Sequence, residues 1–191
     1  MALTTYTAGE VLTASSLNNN LSFAASSGGL VRVGGGSVGT SNSVTYSSVF
    51  SSTYKNYLVF GSGLEASADN TGLTWILGGI TSSYYTLRNY QQFNNGALTS
   101  GLVANNAANS GAIGDVYATE GGMWELLITS PNLAIHKTWV GRTVGTTTAG
   151  YYMSVGGLIA STTQATAITF TLAGAATFAA GRFDIYGYNE A

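Results

Sequence analysis

The feature that most constrains the fold of this chain is the spacing of its apolar residues, which form short β-prone runs between segments rich in glycine and serine. None of the runs shows the 3.6-residue apolar period of an amphipathic helix. Many short strands joined by turn residues are typical of antiparallel sandwiches and jelly rolls. The sequence therefore predicts an all-β domain, an antiparallel β-sandwich or jelly roll. The nine predicted strands are at residues 30–33, 56–61, 73–77, 84–90, 123–129, 135–142, 151–155, 168–172 and 182–188.

A different pattern occupies the N-terminus and predicts a short helix. Thr13 stands at an N-cap position, and Leu12 and Leu17 flank it at the positions of a hydrophobic staple. Because a helix of about ten residues is marginal alone in water, we expect this segment to dock on another surface. The expected organisation is an extended arm with one short helix at residues 1–26 and a β-sandwich domain at residues 27–191. The apolar residues predicted to make the arm's contacts with its partner are Tyr6, Val11, Leu12, Leu17 and Leu21. The alternative is that the arm packs on its own sandwich or on a sister subunit.

The low charge of the chain limits its possible partners. Only 7% of the residues are charged, the net charge is −2, and the 6 basic residues are scattered along the sequence. A patch that neutralises nucleic-acid phosphates is therefore not expected. No run approaches the ~20 apolar residues of a membrane span, and no signal peptide is recognisable at the N-terminus. We expect neither a nucleic-acid nor a membrane partner.

The same composition favours assembly. A surface of Ser, Thr, Asn, Gly and Tyr has little electrostatic protection against association, and it can form hydrogen bonds across an interface without large desolvation costs. Such a surface suits close packing between subunits. The alternative is a neutral β-sandwich that does not associate, because monomer surfaces are already largely apolar.

Residues that could support catalysis are sparse. His136 is the only histidine and is predicted to lie on a strand, with no nucleophile elbow elsewhere in the sequence. Glu120 and Glu125 are an odd number of residues apart, so one strand would place them on opposite faces rather than as a pair of catalytic carboxylates. Asp69 is predicted to form a turn rather than to bind calcium. Residues 34–36, a run of three glycines, are predicted to be a flexible turn, since they lack the ending of a phosphate loop. With no cysteine available for thiolate ligation, the sequence predicts no catalysis, no cofactor and no metal.

The aromatic residues have two possible roles, as core or as platforms for sugars. Trp75, Trp124 and Trp139 each lie in an apolar strand pattern, which favours the core. Near the C-terminus, strand alternation puts Phe183 and Ile185 on one face, predicted to be core, and Asp184, Tyr186 and Tyr188 on the other. Residues 94–114 show no clear period and are predicted to be an exposed loop or a short hairpin, either for binding or as a variable surface excursion.

Three segments resemble virion proteins of tailed bacteriophages. Residues 5–18, TYTAGEVLTASSLN, resemble the N-terminal segment of phage fibre and head-associated chains. Residues 50–60, FSSTYKNYLVF, and residues 181–188, GRFDIYGY, are similar to strands of small phage β-sandwich domains. The resemblance implies a structural protein of the virion that is made in the host cytoplasm.

Within that family, a head decoration (cement) protein is expected, because no heptads or repeats supply a shaft between the arm and the body. Its partner would be the major capsid protein or another virion protein, and the resemblance implies a homotrimer. The alternative is a tail-fibre or receptor-binding tip, which would bind a glycan on the host surface. A small glycan hydrolase is a third possibility, which the sparse acidic residues disfavour.

Overall fold

The computed structural model describes residues 29–119, 121–145 and 150–188, and in these ranges the chain is all-β with no helix. The predicted arm, with Tyr6, Val11, Leu12, Leu17 and Leu21, lies outside the described residues. In the described ranges no helix has the length and hydropathy that crossing a membrane requires. The strands are β1 (Leu30–Ser37), β2 (Ser43–Tyr46), β3 (Asn56–Ala66), β4 (Thr71–Leu77), β5 (Tyr84–Gln92), β6 (Leu98–Ala107), β7 (Asp115–Val116), β8 (Gly122–Thr129), β9 (Lys137–Gly145), β10 (Tyr151–Ile159), β11 (Ile168–Leu172) and β12 (Phe178–Tyr188).

The strands form two antiparallel sheets in a sandwich-like arrangement, which confirms the predicted fold class. The larger sheet has eight strands in the order β1-β12-β3-β8-β9-β10-β5-β6, and the smaller has four in the order β2-β11-β4-β7. Aromatic rings from the two sheets meet between them. Trp75 of β4 lies edge-on to Trp139 of β9 with ring centroids 5.2 Å apart, and Phe170 of β11 stacks on Phe183 of β12 at 3.9 Å. One core therefore joins both sheets.

The last two strands complete both sheets. β11 lies between β2 and β4 in the smaller sheet, and β12 lies between β1 and β3 in the larger sheet. Each of these two strands therefore lies between two strands that belong to the N-terminal half of the described chain. The connection from β11 to β12 also passes from one sheet to the other.

Several predicted core residues are confirmed. Trp75, Trp124 and Trp139 are all buried. In β12, Phe183 and Ile185 are buried, whereas Asp184, Tyr186 and Tyr188 alternate with them and retain exposure. Strand alternation alone was sufficient for these assignments because β12 has one face against the core and one face outside it.

The prediction of a flexible turn at residues 34–36 was wrong, because these glycines lie inside β1. A Cβ atom on Gly35, whose φ is +109°, would lie 2.2 Å from the carbonyl oxygen of Phe183. A Cβ on Gly34 would lie 2.4 Å from Cγ1 of Val49. A bulge between Arg32 and Gly34 shifts the register against β12. Glycine is needed here for close approach within a sheet, not for a turn.

Two further predictions need correction. Of the two alternatives predicted for residues 94–114, an exposed loop or a short hairpin, the hairpin is closer to the structure. β6 pairs with β5 as an antiparallel neighbour, and β7 follows β6 along the chain. The prediction of a strand at His136 was wrong, because this exposed residue precedes the first residue of β9. β2, a strand of four residues, was not predicted.

Three buried tyrosines each bind two backbone groups through the side-chain hydroxyl. The hydroxyl of Tyr57 accepts a hydrogen bond from the Ser51 N–H and donates one to the Ser51 carbonyl. The hydroxyl of Tyr151 makes the same pair of bonds with the backbone of Asp115. The hydroxyl of Tyr84 accepts from the Leu77 N–H and donates to the Ile80 carbonyl, at 2.8 and 3.3 Å. Each ring fills the core while its hydroxyl satisfies two backbone groups that would otherwise be unpaired.

Candidate functional site: the outer face of the eight-stranded sheet

The larger sheet presents one face to the core and one face away from it. Because paired residues of antiparallel strands share a face, the strand registers align the outward side chains into rows that cross the sheet. Two adjacent rows differ in chemistry. The first, here the apolar row, contains Leu102, Leu87, Gly156, Val140, Leu127, Leu58 and Tyr186. The second, here the polar row, contains Ser100, Asn89, Ser154, Arg142, Glu125, Phe60 and Asp184.

The apolar row is most exposed toward β6. Leu87 is 64% exposed, and Leu102 and Val140 are each 56% exposed, whereas Leu58 near the other edge is buried. Gly156 lies between Leu87 and Val140 in the row and leaves a depression with a volume of about 430 Å³, lined mainly by apolar groups of β5, β6 and β10. Exposed aliphatic side chains that adjoin an apolar depression are typical of surfaces that contact other molecules.

Each charged side chain of the polar row is held in an ion pair. Nη2 of Arg142 donates to both carboxylate oxygens of Glu125, at 2.7 and 2.8 Å, and these bonds raise the pKa of the guanidinium. Near the β1 edge, Asp184 accepts bonds from Arg182 at 2.7 Å and from Arg32 at 2.9 Å. The two bonds from Arg182, and then the bond from Arg32, hold the pKa of Asp184 below its usual range. The face therefore presents paired charges rather than a field of one sign.

A shallow groove of about 410 Å³ lies beside the Glu125–Arg142 pair. Leu127, Val140, Tyr152 and Ser154 line it together with the ion pair. The Tyr152 side chain is partly exposed. A partly exposed aromatic ring beside fixed hydrogen-bonding groups is an arrangement that can bind a sugar or the side chain of another protein.

Lys137, the first residue of β9, is fully buried and was missed as a structural residue in the sequence analysis. Its Nζ donates to the carbonyls of Leu133, Ile135 and Ser161 at 3.0, 2.7 and 2.9 Å. These three acceptors use all three N–H groups of the ammonium. Burial lowers the pKa of Lys137. The side chain joins the loop before β9 to the loop after β10 and is not directed toward any of the surface grooves described above.

The structure does not bring the acidic and histidine candidates together as a catalytic set. His136 is exposed, Glu125 is engaged by Arg142, and Glu120 lies outside the described residues. Asp69 lies in the connection between β3 and β4, in agreement with its predicted position in a turn, and its Oδ1 accepts the N–H of Ala118 at 2.8 Å. Across the described ranges no group of three or more His, Cys, Asp or Glu is placed to hold a metal ion.

Comparison of the chain with protein-family models, curated proteins and solved structures finds no match. The candidate site is therefore defined by its own geometry. The arrangement of the outer face suits contact with another molecule, through exposed leucine and valine side chains on one row and paired charges on the next.

Proposed function

We propose that this chain is a non-enzymatic structural protein of a phage virion, a decoration (cement) protein on the capsid surface. The observation that carries the proposal is the outer face of the eight-stranded sheet. It joins exposed aliphatic side chains of the apolar row to charges that are already paired. Such a face can lie against another protein while each of its paired charges keeps a partner within its own sheet.

The two described segments that carry the resemblance to phage proteins form one local unit, and this supports the proposal. Residues 50–60 lead into β3 and residues 181–188 lie in β12, which pairs with β3. The ring of Tyr54 lies so close to Gly187 that a Cβ there would be 2.4 Å from Cγ of Tyr54. Phe50 packs edge-on against Tyr57 with ring centroids 4.7 Å apart. The matched residues thus support one another as a folding unit.

In the proposed function the arm is the anchor to the particle. Its contacts would be made by Tyr6, Val11, Leu12, Leu17 and Leu21, against the major capsid protein or another virion protein. Burial of side chains of this size contributes about 1.5–3 kcal/mol each before the cost of ordering the chain. The homotrimer implied by the resemblance stays part of this proposal, as an assembly formed on the particle.

The location is tested by electron cryomicroscopy of virions that contain the chain. Density of this protein at capsid lattice points is the expected result, and density confined to tail appendages would refute the decoration assignment. Removal of residues 1–25 should leave a folded body that no longer joins the particle. Wild-type occupancy by the truncated protein would place the anchor in the body instead.

A second candidate function, a receptor-binding tip, is favoured by the groove beside the Glu125–Arg142 pair. In this function Tyr152 would stack on a glycan of the host surface while the ion pair and Ser154 bind its hydroxyl groups. The Tyr152→Ala variant should then lose binding of purified protein to host cells. Tyr188→Ala is a matched control, because the two tyrosines are 37% and 36% exposed. Equal binding by both variants would remove this candidate.

A further inference from the structure

The edges of the two sheets differ in how they are protected against pairing with another chain. In the part of the chain that the structure describes, β2 has four residues and β7 has two. β1 carries a bulge and Arg32, which is paired with Asp184. Short length, bulges and charges are the usual means by which sheet edges avoid pairing. β6, the remaining edge, has ten residues with no charge and no proline.

The unprotected part of β6 is its first half. Residues 98–102 are all exposed, so neither face of this stretch is covered. Beyond it the following loop approaches the strand, since a Cβ on Gly111 would lie 2.9 Å from the carbonyl oxygen of Val103. The free stretch is therefore five residues long, and Ser100 is at its centre.

We infer that residues 98–102 pair antiparallel with the same residues of a second copy of this chain, about a two-fold axis at Ser100. This register sets Leu98 of each copy opposite Leu102 of the other, with the two Ser100 residues facing each other. Such pairs have Cβ atoms about 4.5–5.5 Å apart. Any other symmetric register leaves at least one of these leucines opposite a residue that is not leucine. The strand is thus self-complementary in one register, as an isologous contact requires.

The neighbouring strand supports the contact. Leu87 of β5 is in register with Leu102 and equally faces outward, so it extends the leucine contact by one more strand. The nearest charged side chain in register is Arg88, which pairs with Gly101 on the other face. In the paired sheet at least three strand spacings, about 14 Å, separate Arg88 from its counterpart. That distance exceeds the Debye length at physiological ionic strength, about 8 Å, so repulsion between the two arginines is screened.

The contact is distinct from the proposed attachment to a capsid, and it is tested on the purified full chain without virions. We expect a mass that rises with concentration toward a dimer in sedimentation velocity. The variant with both Leu98→Lys and Leu102→Lys should raise the dissociation constant at least tenfold, because like charges would face each other across the axis. Ile135→Lys is the control, since Ile135 is 52% exposed, close to the 56% of Leu102, but lies in the loop before β9.

The register is tested by charge complementarity. Mixing the double-lysine variant with a variant carrying Leu98→Glu and Leu102→Glu should restore association as a mixed dimer, which neither variant forms alone. The same restoration shows that the variants are folded. A wild-type protein that stays monomeric at several hundred micromolar would overturn the inference. So would a double-lysine variant that associates as the wild type does, because the interface would then lie elsewhere.

Discussion

The substitution of Lys137 by methionine tests whether a buried ammonium holds two loops together. Methionine is similar in length and volume, so the change removes the three donors without opening a large cavity. It leaves the carbonyls of Leu133, Ile135 and Ser161 without the partners seen at 2.7–3.0 Å. An unsatisfied buried acceptor costs about 1–3 kcal/mol.

The low end of this range of about 1–3 kcal/mol applies here, because Leu133, Ile135 and Ser161 are themselves partly or fully exposed and water can reach the loops. Three acceptors at the low end give a loss of about 3 kcal/mol in the free energy of unfolding. For a chain of this size each kcal/mol lowers the melting temperature by about 2–4 °C, so we expect a fall of about 6–12 °C.

The assay is urea unfolding at neutral pH, followed by tryptophan fluorescence, because Trp75, Trp124 and Trp139 are all buried in the core. Arg142→Met is the matched control, since it removes the same charge from a side chain that is 57% exposed. The control should unfold close to the wild type. A Lys137→Met protein with the same urea midpoint of unfolding as this control would refute the reasoning, because loss of the ammonium from the three carbonyls would then not destabilise the protein.

Three other outcomes follow from the structure and can be measured by the same unfolding assay. Gly157→Ala should lower the free energy of unfolding by about 3 kcal/mol or more, since its Cβ would lie 2.0 Å from the Tyr85 carbonyl oxygen. Gly156→Ala is the control and should stay within about 1 kcal/mol of the wild type, because no heavy atom would lie nearer than 3.4 Å to its Cβ. Equal losses in the two variants would contradict this prediction. Burial raises the pKa of Tyr84 to about 12 from 10.0, so the tyrosine loses its proton in the unfolded state first and the free energy of unfolding should fall between pH 10 and 12. The fall should be shallower in Tyr84→Phe, and identical slopes of unfolding free energy against pH in the two proteins would contradict this prediction. Because the pKa of Asp184 is lowered in the fold, its ionised form stabilises the protein above pH 3.8, and this stabilisation is lost as the pH falls through the folded-state pKa. The unfolding free energy of Asp184→Asn should therefore depend less on pH in that range. An acid transition identical to that of the wild type would exclude a contribution from these bonds.

Strands with one buried face could be predicted from the sequence. β11 matches its predicted range because Ile168, Phe170 and Leu172 are buried while two threonines alternate with them. β6 could not be predicted in this way, since the first five of its residues are exposed on both faces and no apolar period results. The glycines of β1 were misassigned because the close approach that requires them involves Val49 and Phe183, which are distant in sequence.

The candidate site depended on information that a single sequence does not contain. The apolar and polar rows exist only because eight strands are aligned in a particular register, and residues adjacent in a row, such as Glu125 and Arg142, come from different strands. Lys137 has the residue type of an exposed position, yet the fold places it inward with three carbonyl partners. Its sequence context, an otherwise apolar inward face with Trp139 two residues later, is the one signal that could have identified it.

The position of β11 and β12, each between two earlier strands, has a consequence for how the protein is made. Until β11 and β12 have left the ribosome, β1 lacks its partner strand and β3 lacks one of its two partner strands. In the smaller sheet β2 and β4 likewise lack β11 between them. Pairings between such distant segments form slowly, and unpaired strand edges promote aggregation. Neither sheet can therefore be completed before β11 and β12 have been made. A premature stop before β11 would leave both sheets split rather than a slightly smaller sandwich.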